Sequence, residues 1–322
     1  MIPYIHVPDL PIGPFTIHPF GVLVATGVLV GTALASRRCR ALGLDLNLFN
    51  SFVTWMLIAG FIGGHVLDEI FYHWDEVVKR PWSLFMLWEG LSSFGGFVGA
   101  LIGILLWKRF DWDRGWFRLR PKVLPVFVYA DVVLAVFPVA WAFGRSGCST
   151  VHDHPGLLVN GSAPLAVDFP LDREQIPQDW FKLHASDAAF HLGPIEFFKG
   201  RFIRYDLGLL ELMFTCVVAL LFALTWRRKL RAGTYVVATA FAYGPVRFVM
   251  DFLRIPENAA SGGDTRYGHL TPAQYCCVAL TLFGVAVLFY MQRLKKSGVD
   301  PAELLRAVPA TDVPLAEPPL VA

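Results

Sequence analysis

The chain has 322 residues, of which 55% are hydrophobic and 17% charged, with a formal net charge of +2 and a mean hydropathy of +0.50. Soluble domains carry about 45–50% apolar and about 25% charged residues, so both values point away from a water-soluble enzyme. So small a charge, with no basic block, also argues against a disordered or nucleic-acid-binding chain, and no nucleic-acid partner is expected. The five cysteines, Cys39, Cys148, Cys216, Cys276 and Cys277, form no CxxC pair and no zinc spacing. Neither a disulfide framework nor a metal centre is indicated. The composition is that of an integral membrane protein.

A helix crossing a bilayer core of about 30 Å needs roughly 20 mostly apolar residues. Seven stretches qualify, with approximate ends: about 17–36, 49–72, 92–107, 123–144, 207–226, 234–253 and 271–291. The expected fold is all-α, a polytopic membrane protein with seven transmembrane helices, because lipid offers the backbone no hydrogen-bond partners. Residues 1–296 read as a single transmembrane domain. A polar segment rich in Pro, Asp and His, about 148–206, is inserted between the fourth and fifth spans as a head outside the bilayer. Residues 297–322 hold five prolines and no long apolar run, and a disordered tail is expected there. Ala33-Leu34-Ala35 imitates a cleavage site, but the basic cluster follows the first apolar run instead of preceding it. That order is the reverse of a signal peptide, and no cleavage is expected.

Lys and Arg set the orientation. Seventeen flank the spans on one side, at 37–40, 108–122, 227–231 and 293–306, against nine on the other, mostly in the long segment. The positive-inside rule places the N-terminus outside and the C-terminus in the cytoplasm.

Ionisable residues inside a span cost at least about 2.5–3.5 kcal/mol on insertion scales. The spans or their edges hold His65, Asp68, Glu69, Asp131, Arg145, Glu211, Arg247 and Asp251. Pairing inside the bundle is the ordinary account of Asp68, Glu69 and Glu211, and Asp251 shares a helical face with Arg247 four residues earlier. Arg145 and Arg247 fit that account less well. The first lies in Gly144-Arg145-Ser146-Gly147 and the second follows a Gly244-Pro245 interruption. Both fall in the outer halves of their spans, where two guanidinium forks suit a phosphate headgroup. The glycines of Gly60–Gly64 and Gly95–Gly103 suit close helix packing. His152-Asp153-His154-Pro155 offers a metal half-site without an HExxH, and solvated loop histidines are the ordinary reading. No G-x-S-x-G, P-loop or dinucleotide fingerprint is present, which leaves hydrolase, nucleotide-binding and dehydrogenase readings without support.

In order and spacing, these pieces resemble the prolipoprotein diacylglyceryl transferases of bacterial inner membranes, across about 18–290. The resemblance runs from His18-Pro19-Phe20-Gly21 through Gly63-Gly64, Trp88-Glu89-Gly90 and Ser93-Phe94-Gly95-Gly96. Its strongest parts are Gly144-Arg145-Ser146-Gly147, and Tyr243-Gly244 through Arg247, Asp251, Phe252 and Arg254-Ile255-Pro256-Glu257. Gly268-His269-Leu270 completes it.

That resemblance implies transfer of the diacylglyceryl group from phosphatidylglycerol to the lipobox cysteine thiol of a prolipoprotein, the first step of lipoprotein maturation. The products are a thioether and glycerol 1-phosphate. It implies Arg145 and Arg247 as catalytic residues on the leaving phosphate. It further implies Tyr243, Gly144, Gly147, Cys148, Gly95, Gly96 and Arg254 as substrate-binding residues. Segment 148–206 corresponds to a periplasmic head that meets the incoming signal peptide. The nucleophile belongs to the substrate, so no catalytic Ser or Cys, cofactor or metal is expected. Several positions depart from the family pattern: Phe94 stands for a histidine, Cys148 for an asparagine and Phe20 for a tyrosine. Proton acceptance then falls to solvent or to a displaced histidine, with His152 and His154 the leading candidates and His65 in reserve. Two other readings stay open: a non-catalytic relative that binds phospholipid or lipoproteins, and a related transferase with a different lipid or acceptor. A transporter is disfavoured, since no repeat symmetry is visible.

Cysteines introduced at Gly161 and Ser297 should label from opposite sides of the membrane in accessibility experiments. Equal sidedness would remove the orientation and the outer head together.

Overall fold

The computed structural model describes residues 1–13, 15–86, 90, 92–113, 116–120, 124, 126–160, 163–170, 186, 188–192, 194–198, 202–226, 228, 230–255 and 266–296. Trp88, Glu89, Pro256, Glu257 and the expected tail 297–322 lie outside the described residues. Among those described, the helices are α1 (Pro19–Ala41), α2 (Leu46–Tyr72), α3 (Trp74–Lys79), α4 (Ser93–Arg109), α5 (Val126–Val151), α6 (Leu207–Leu224), α7 (Thr234–Met250) and α8 (Pro272–Lys296). Six of them, α1, α2, α5, α6, α7 and α8, are long and apolar enough to cross a membrane. The stretch expected as a third span is α4, whose 17 residues make about 26 Å at 1.5 Å per residue. That is shorter than a core of about 30 Å.

Two expectations need correction. The fourth span does not end at residue 144, because α5 runs on to Val151 and carries Gly144-Arg145-Ser146-Gly147 within the helix. The continuation is built from hydroxyls that fold back on the helix. Ser146 Oγ donates to Phe143 O at 2.7 Å, Ser149 Oγ to Ser146 O at 2.9 Å, and Thr150 Oγ1 to Gly147 O at 2.7 Å. Polar residues that suggest a loop are thereby satisfied within helix.

The second correction concerns the all-α class. The fold is mostly helical, but it contains a six-stranded sheet in the order β6-β10-β7-β1-β9-β8. Its strands are β1 (Ile2–His6), β6 (Pro155–Leu158), β7 (Val167–Phe169), β8 (Ala188–Leu192), β9 (Ile195–Phe198) and β10 (Phe202–Asp206). Short hairpins β2–β3 (Leu10–Ile12, Phe15–Ile17) and β4–β5 (Phe110–Asp113, Trp116–Leu119) complete the set. The N-terminal strand enters the middle of the sheet, parallel to β7 with Ile2 opposite Val167, and antiparallel to β9 with Tyr4 opposite Phe198. Alternation puts Tyr4, Val167, Phe169 and Phe198 on one buried face, with Ile2, Phe202 and Leu209 packed against it. These strands are short and, apart from the neighbouring pair β8 and β9, their partners are distant in sequence, so no local pattern announces the sheet.

The chain folds as two compact units. The first comprises Met1–Ala35, Val133–Arg228 and Tyr235–Tyr290, and the second Ser36–Val132, Lys229–Thr234 and Met291–Ala322. In the first, α1 runs antiparallel to α5: Gly147 lies against the Phe20 ring, and Gly27 and Gly31 against Ala140. In the second, a glycine seam joins α2 to α4. A Cβ at Gly99 would lie 2.2 Å from Ala59 O, one at Gly95 2.5 Å from Gly63 O, and one at Gly103 2.5 Å from Trp55 O. The spacing of four puts these glycines on one helical face, and close packing of this kind is what small residues provide inside a bilayer. Phe49, Phe52, Trp107 and Tyr129, all fully buried, lock the other end of the second unit, with Trp107 edge-on to Phe52 and Tyr129 and Phe49 tilted against Tyr129.

Gly99→Leu should therefore lower the thermal midpoint of the detergent-solubilised protein, by the equivalent of about 1–3 kcal/mol or more of overpacking. Gly21→Ala, where a Cβ meets nothing within 4 Å, should leave the midpoint unchanged.

Candidate active site

Three helices of the first unit converge on one carboxylate. Glu211, 1% exposed, sits in the first turns of α6. Arg145 of α5 places Nε 2.9 Å from its Oε1, and Arg247 of α7 places Nε 3.5 Å from its Oε2. Tyr243, one turn before Arg247 on the same face of α7, donates its hydroxyl to Oε1 at 2.5 Å. Trp141 Nε1, one turn before Arg145 on α5, donates to the same oxygen at 3.1 Å. The Arg145 guanidinium also lies over the Trp141 ring, 4.8 Å from its centroid. Both arginines are buried. Arg145 Nε and Arg247 Nη1 sit beside carboxylates without an aligned hydrogen bond, and Arg145 Nη1 meets the weak acceptor Cys148 Sγ at 3.7 Å. A Cβ at Gly144 would meet open space.

A second carboxylate extends the array. Asp251, fully buried, takes Arg247 Nη1 at 3.2 Å and Arg254 Nε at 2.7 Å on its Oδ1. The intrahelical Arg247–Asp251 pair is the one that the four-residue spacing suggests. The hydroxyl of Thr271 donates to Asp251 Oδ2. Thr271 also begins a reciprocal cap on α8: Gln274 N donates to its Oγ1 at 3.2 Å, and its own N–H donates to Gln274 Oε1 at 2.9 Å. Gln274 then reaches back to Phe248 O of α7 at 3.2 Å. The Thr-Pro-Ala-Gln sequence is a capping box, and here it ties the start of α8 to the charged array. Gly244 lets α7 approach α8, since a Cβ there would lie 2.4 Å from Thr281 Oγ1 and 3.1 Å from Cys277 O.

The two candidate histidines have different surroundings. His152 ends α5 with φ 49° and is held on three sides. Its Nδ1 faces Asp206 Oδ2 at 2.5 Å, its Nε2 faces the Ile5 carbonyl at 3.0 Å, and its ring stacks on Tyr4 at 3.9 Å. Asp206 meanwhile caps α6, accepting from Leu209 N at 3.1 Å. Neither ring nitrogen of His152 is left open, and the residue works as a clamp between β1, α5 and α6. Nearby, burial first and then the His152 charge push His6 down to about 4, against the pull of Asp9. His154 has only a 3.8 Å approach to Asp153 Oδ2 and is 31% exposed. Burial holds its pKa below the ordinary imidazole value; Asp153 pulls upward, and the fields of Arg254, Arg145 and Arg247 add to the depression. The arginine cluster thus acts on His154 directly. For metal ligation, the adjacent His152-Asp153-His154 run is not what assembles; the ligand atoms of Cys148, Asp153 and His154 lie within 4.8 Å of one another.

Of the sequence candidates, Arg145, Arg247, Tyr243, Arg254, Gly144, Gly147, Cys148, His152 and His154 all belong to the first unit. Gly147 packs on Phe20, and a Cβ at Gly208 of α6 would lie 3.1 Å from Cys148 Cβ. Gly95 and Gly96 belong to the second unit, where they face α2. The reserve residue His65 is also there, buried with Nε2 2.9 Å from Ser83 O and Nδ1 3.4 Å from Gly90 O. Sequence reasoning treated Glu211 as an ordinary paired residue and passed over Trp141, Asp206 and Thr271. A charged residue in α6, the most apolar of the spans, was the available signal for the first. The capping box was the signal for the last.

Comparison with known proteins adds a family. The family model of prolipoprotein diacylglyceryl transferase matches residues 9–290. A phosphatidylglycerol–prolipoprotein diacylglyceryl transferase of Xylella fastidiosa (strain M12) is 27% identical over 326 residues, covering 96% of this chain and 99% of its own. One from Xanthomonas campestris pv. campestris (strain B100) is 29% identical over 299 residues, covering 90% and 93%.

Replacing Glu211 by Gln keeps its shape but leaves two buried guanidinium groups facing a neutral amide. Breaking a buried pair in this way costs about 3–5 kcal/mol, and Glu211→Gln should show it as a lowered unfolding midpoint. Trp141→Phe, which removes one hydrogen bond to that carboxylate, should cost about 1.5–3 kcal/mol.

Proposed function

The chain belongs to the prolipoprotein diacylglyceryl transferase family, and we propose that it transfers the diacylglyceryl group of phosphatidylglycerol to the lipobox cysteine of a prolipoprotein. The observation that carries this reading is the convergence of Arg145 and Arg247 on Glu211. Two guanidinium groups are held within one carboxylate of each other, with donors that are close to charge but not aligned to it. A phosphate brings oxygens that can take those donors in bidentate geometry. As the thiolate sulfur attacks the glyceryl carbon, a C–S bond forms and the C–O bond to phosphate breaks. Charge grows on the departing phosphate oxygen, where preorganised cations are most effective in a dry site. The thiol proton goes to a base, and glycerol 1-phosphate leaves.

For the base we assign His154. Its depressed pKa keeps the imidazole neutral at neutral pH, as proton acceptance requires. His152, with both nitrogens engaged, is assigned instead to holding the head. The relatives' names supply the substrates; the site contributes the cationic cradle. Tyr243 and Trp141 orient Glu211, Arg254 adds positive charge at the rim, and open space at Gly144 admits the headgroup. In the bilayer we place the six long helices and, paired with α2 by its glycine seam, α4 as a short seventh span. The sheet then forms the periplasmic head of a multi-pass inner-membrane protein, with a cytoplasmic C-terminus. Gly95 and Gly96 are given the packing role that their contacts support.

Purified protein with phosphatidylglycerol and a lipobox peptide provides the test. Arg145→Ala and Arg247→Ala should each lower turnover by at least about 100-fold, the scale of one lost preorganised donor. Lys at either position should rescue poorly, since a point charge does not replace a planar fork. Near-normal turnover in both Ala variants would return these arginines to structural pairing, and no transfer by the wild type would favour a lipid-binding relative.

The pH profile tests the base separately. A base works unprotonated, so wild-type rate should fall with acid only below about pH 6.5, the ordinary histidine value. His154→Ala should lower the neutral-pH rate by at least about 100-fold, with partial recovery towards pH 9 as the substrate thiol ionises itself. An unchanged profile would remove His154 from the reaction.

A further inference from the structure

We propose that an apolar cleft in the first unit holds one acyl chain of the phospholipid donor and sets which chain lengths the protein accepts. This deepens the reading given above and rests on it for the donor's headgroup. The cleft measures about 500 Å³ and is lined by Leu34 of α1, Ala135, Val136 and Val139 of α5, and Ala219 and Ala223 of α6.

Its position follows from the helix register. Tight contacts bring Gly27 and Gly31 of α1 against Ala140 of α5. Towards Leu34 and Val136 no glycine continues that contact, and facing alanines on α5 and α6 leave room. The same two helices carry the charged array at their other ends. Ala135 and Val136 precede Arg145 by ten and nine residues, about 14–15 Å at 1.5 Å per residue. Ala219 and Ala223 follow Glu211 by eight and twelve residues, about 12–18 Å along α6. A headgroup at the arginines thus has, on the same helix pair, an apolar slot that the far half of a long acyl chain reaches.

Size selects the occupant. A cavity of roughly 150 Å³ takes up a six-carbon ring; 500 Å³ scales to on the order of 18–20 carbons. One turn of a helix, about 10 Å across and 5.4 Å long, already fills roughly 400 Å³, so the cleft takes little more than one turn of a signal-peptide helix, whereas the flexible end of an acyl chain follows its walls.

The test uses the full-length protein with dioleoyl and didecanoyl phosphatidylglycerol as donors, together with Ala219→Leu and Ala223→Leu. Each buried methylene is worth roughly fourfold, so displacing two should lower kcat/KM for the dioleoyl donor at least about tenfold. The didecanoyl donor should lose less than about twofold with Ala223→Leu, the more distant of the two positions, since a ten-carbon chain ends short of it. Binding is read independently with phosphatidylglycerol carrying a diazirine at the end of one chain. Crosslinks should map to α5 around Ala135 and α6 around Ala219, and should weaken in both variants. Equal losses on both donors would overturn the proposal, as would equally strong crosslinking by a phosphatidylcholine probe, which marks surface lipid. Crosslinking of this segment by a signal peptide instead of lipid would also overturn it. Wild-type protein that crosslinks there but transfers nothing would sustain the cleft and sink the transferase reading. Wild-type transfer with neither crosslinks nor altered chain preference would do the reverse.

Discussion

A single carboxylate buried among three helices sets the chemistry of the first unit. Glu211 is nearly inaccessible, yet it receives two guanidinium groups, a phenol and an indole N–H. Without it, Arg145 would lose the carboxylate beside it and Arg247 would keep Asp251 alone, in a medium that stabilises buried charge poorly. With it, two like charges from α5 and α7 are kept close and fixed in orientation, and the fold tolerates a positive field where a membrane protein would otherwise avoid one. The energy needed to organise that field is spent on folding, before any substrate arrives. Such preorganisation is what distinguishes a fixed cluster of charge from a solvated one.

Around this centre, the secondary contacts serve to fix helix ends. Asp251 links Arg247 and Arg254 to Thr271, whose capping box starts α8. Asp206 starts α6 while holding His152, and His152 in turn stacks on Tyr4 of the sheet. Each acidic residue therefore does two jobs, capping or closing a helix and compensating a basic group. The backbone that carries Cys148 to His154 past the arginines is pinned at both ends by these contacts, which gives His154 a defined place despite its position in a turn.

What was legible in the sequence follows the range of the forces involved. Spans α1, α2, α6, α7 and α8 were visible because hydropathy is a local sum, and the Gly95–Gly103 spacing announced the seam of α4 for the same reason. The last two turns of α5 were not, since Ser146, Ser149 and Thr150 read as loop residues until their hydroxyls are seen on the preceding carbonyls. The two arginines were legible as charges out of place. Their shared partner was not, because Glu211 lies 66 residues beyond Arg145 and 36 before Arg247, and nothing local pairs them. His152 and His154 are the same residue type two positions apart. Only the left-handed turn at His152 separates a clamp from a residue exposed to the arginine field.

The placement of β1 in the middle of the sheet has a consequence for biosynthesis. Residues 2–6 are made long before their neighbours β7 and β9, which are completed only at Phe169 and Phe198. At roughly 5–20 residues per second, the N-terminal strand waits on the order of 10–40 s for its partners, through the synthesis of every helix up to α5. Its hydrogen bonds are then made in one late step that closes a loop of most of the chain's length, the slow kind of contact in folding. During that interval the strand is an unpaired edge, and its brevity, with Pro3 and the polar His6 in five residues, limits what else it can pair with. Of the strands in this sheet, the one made first waits longest for its partners.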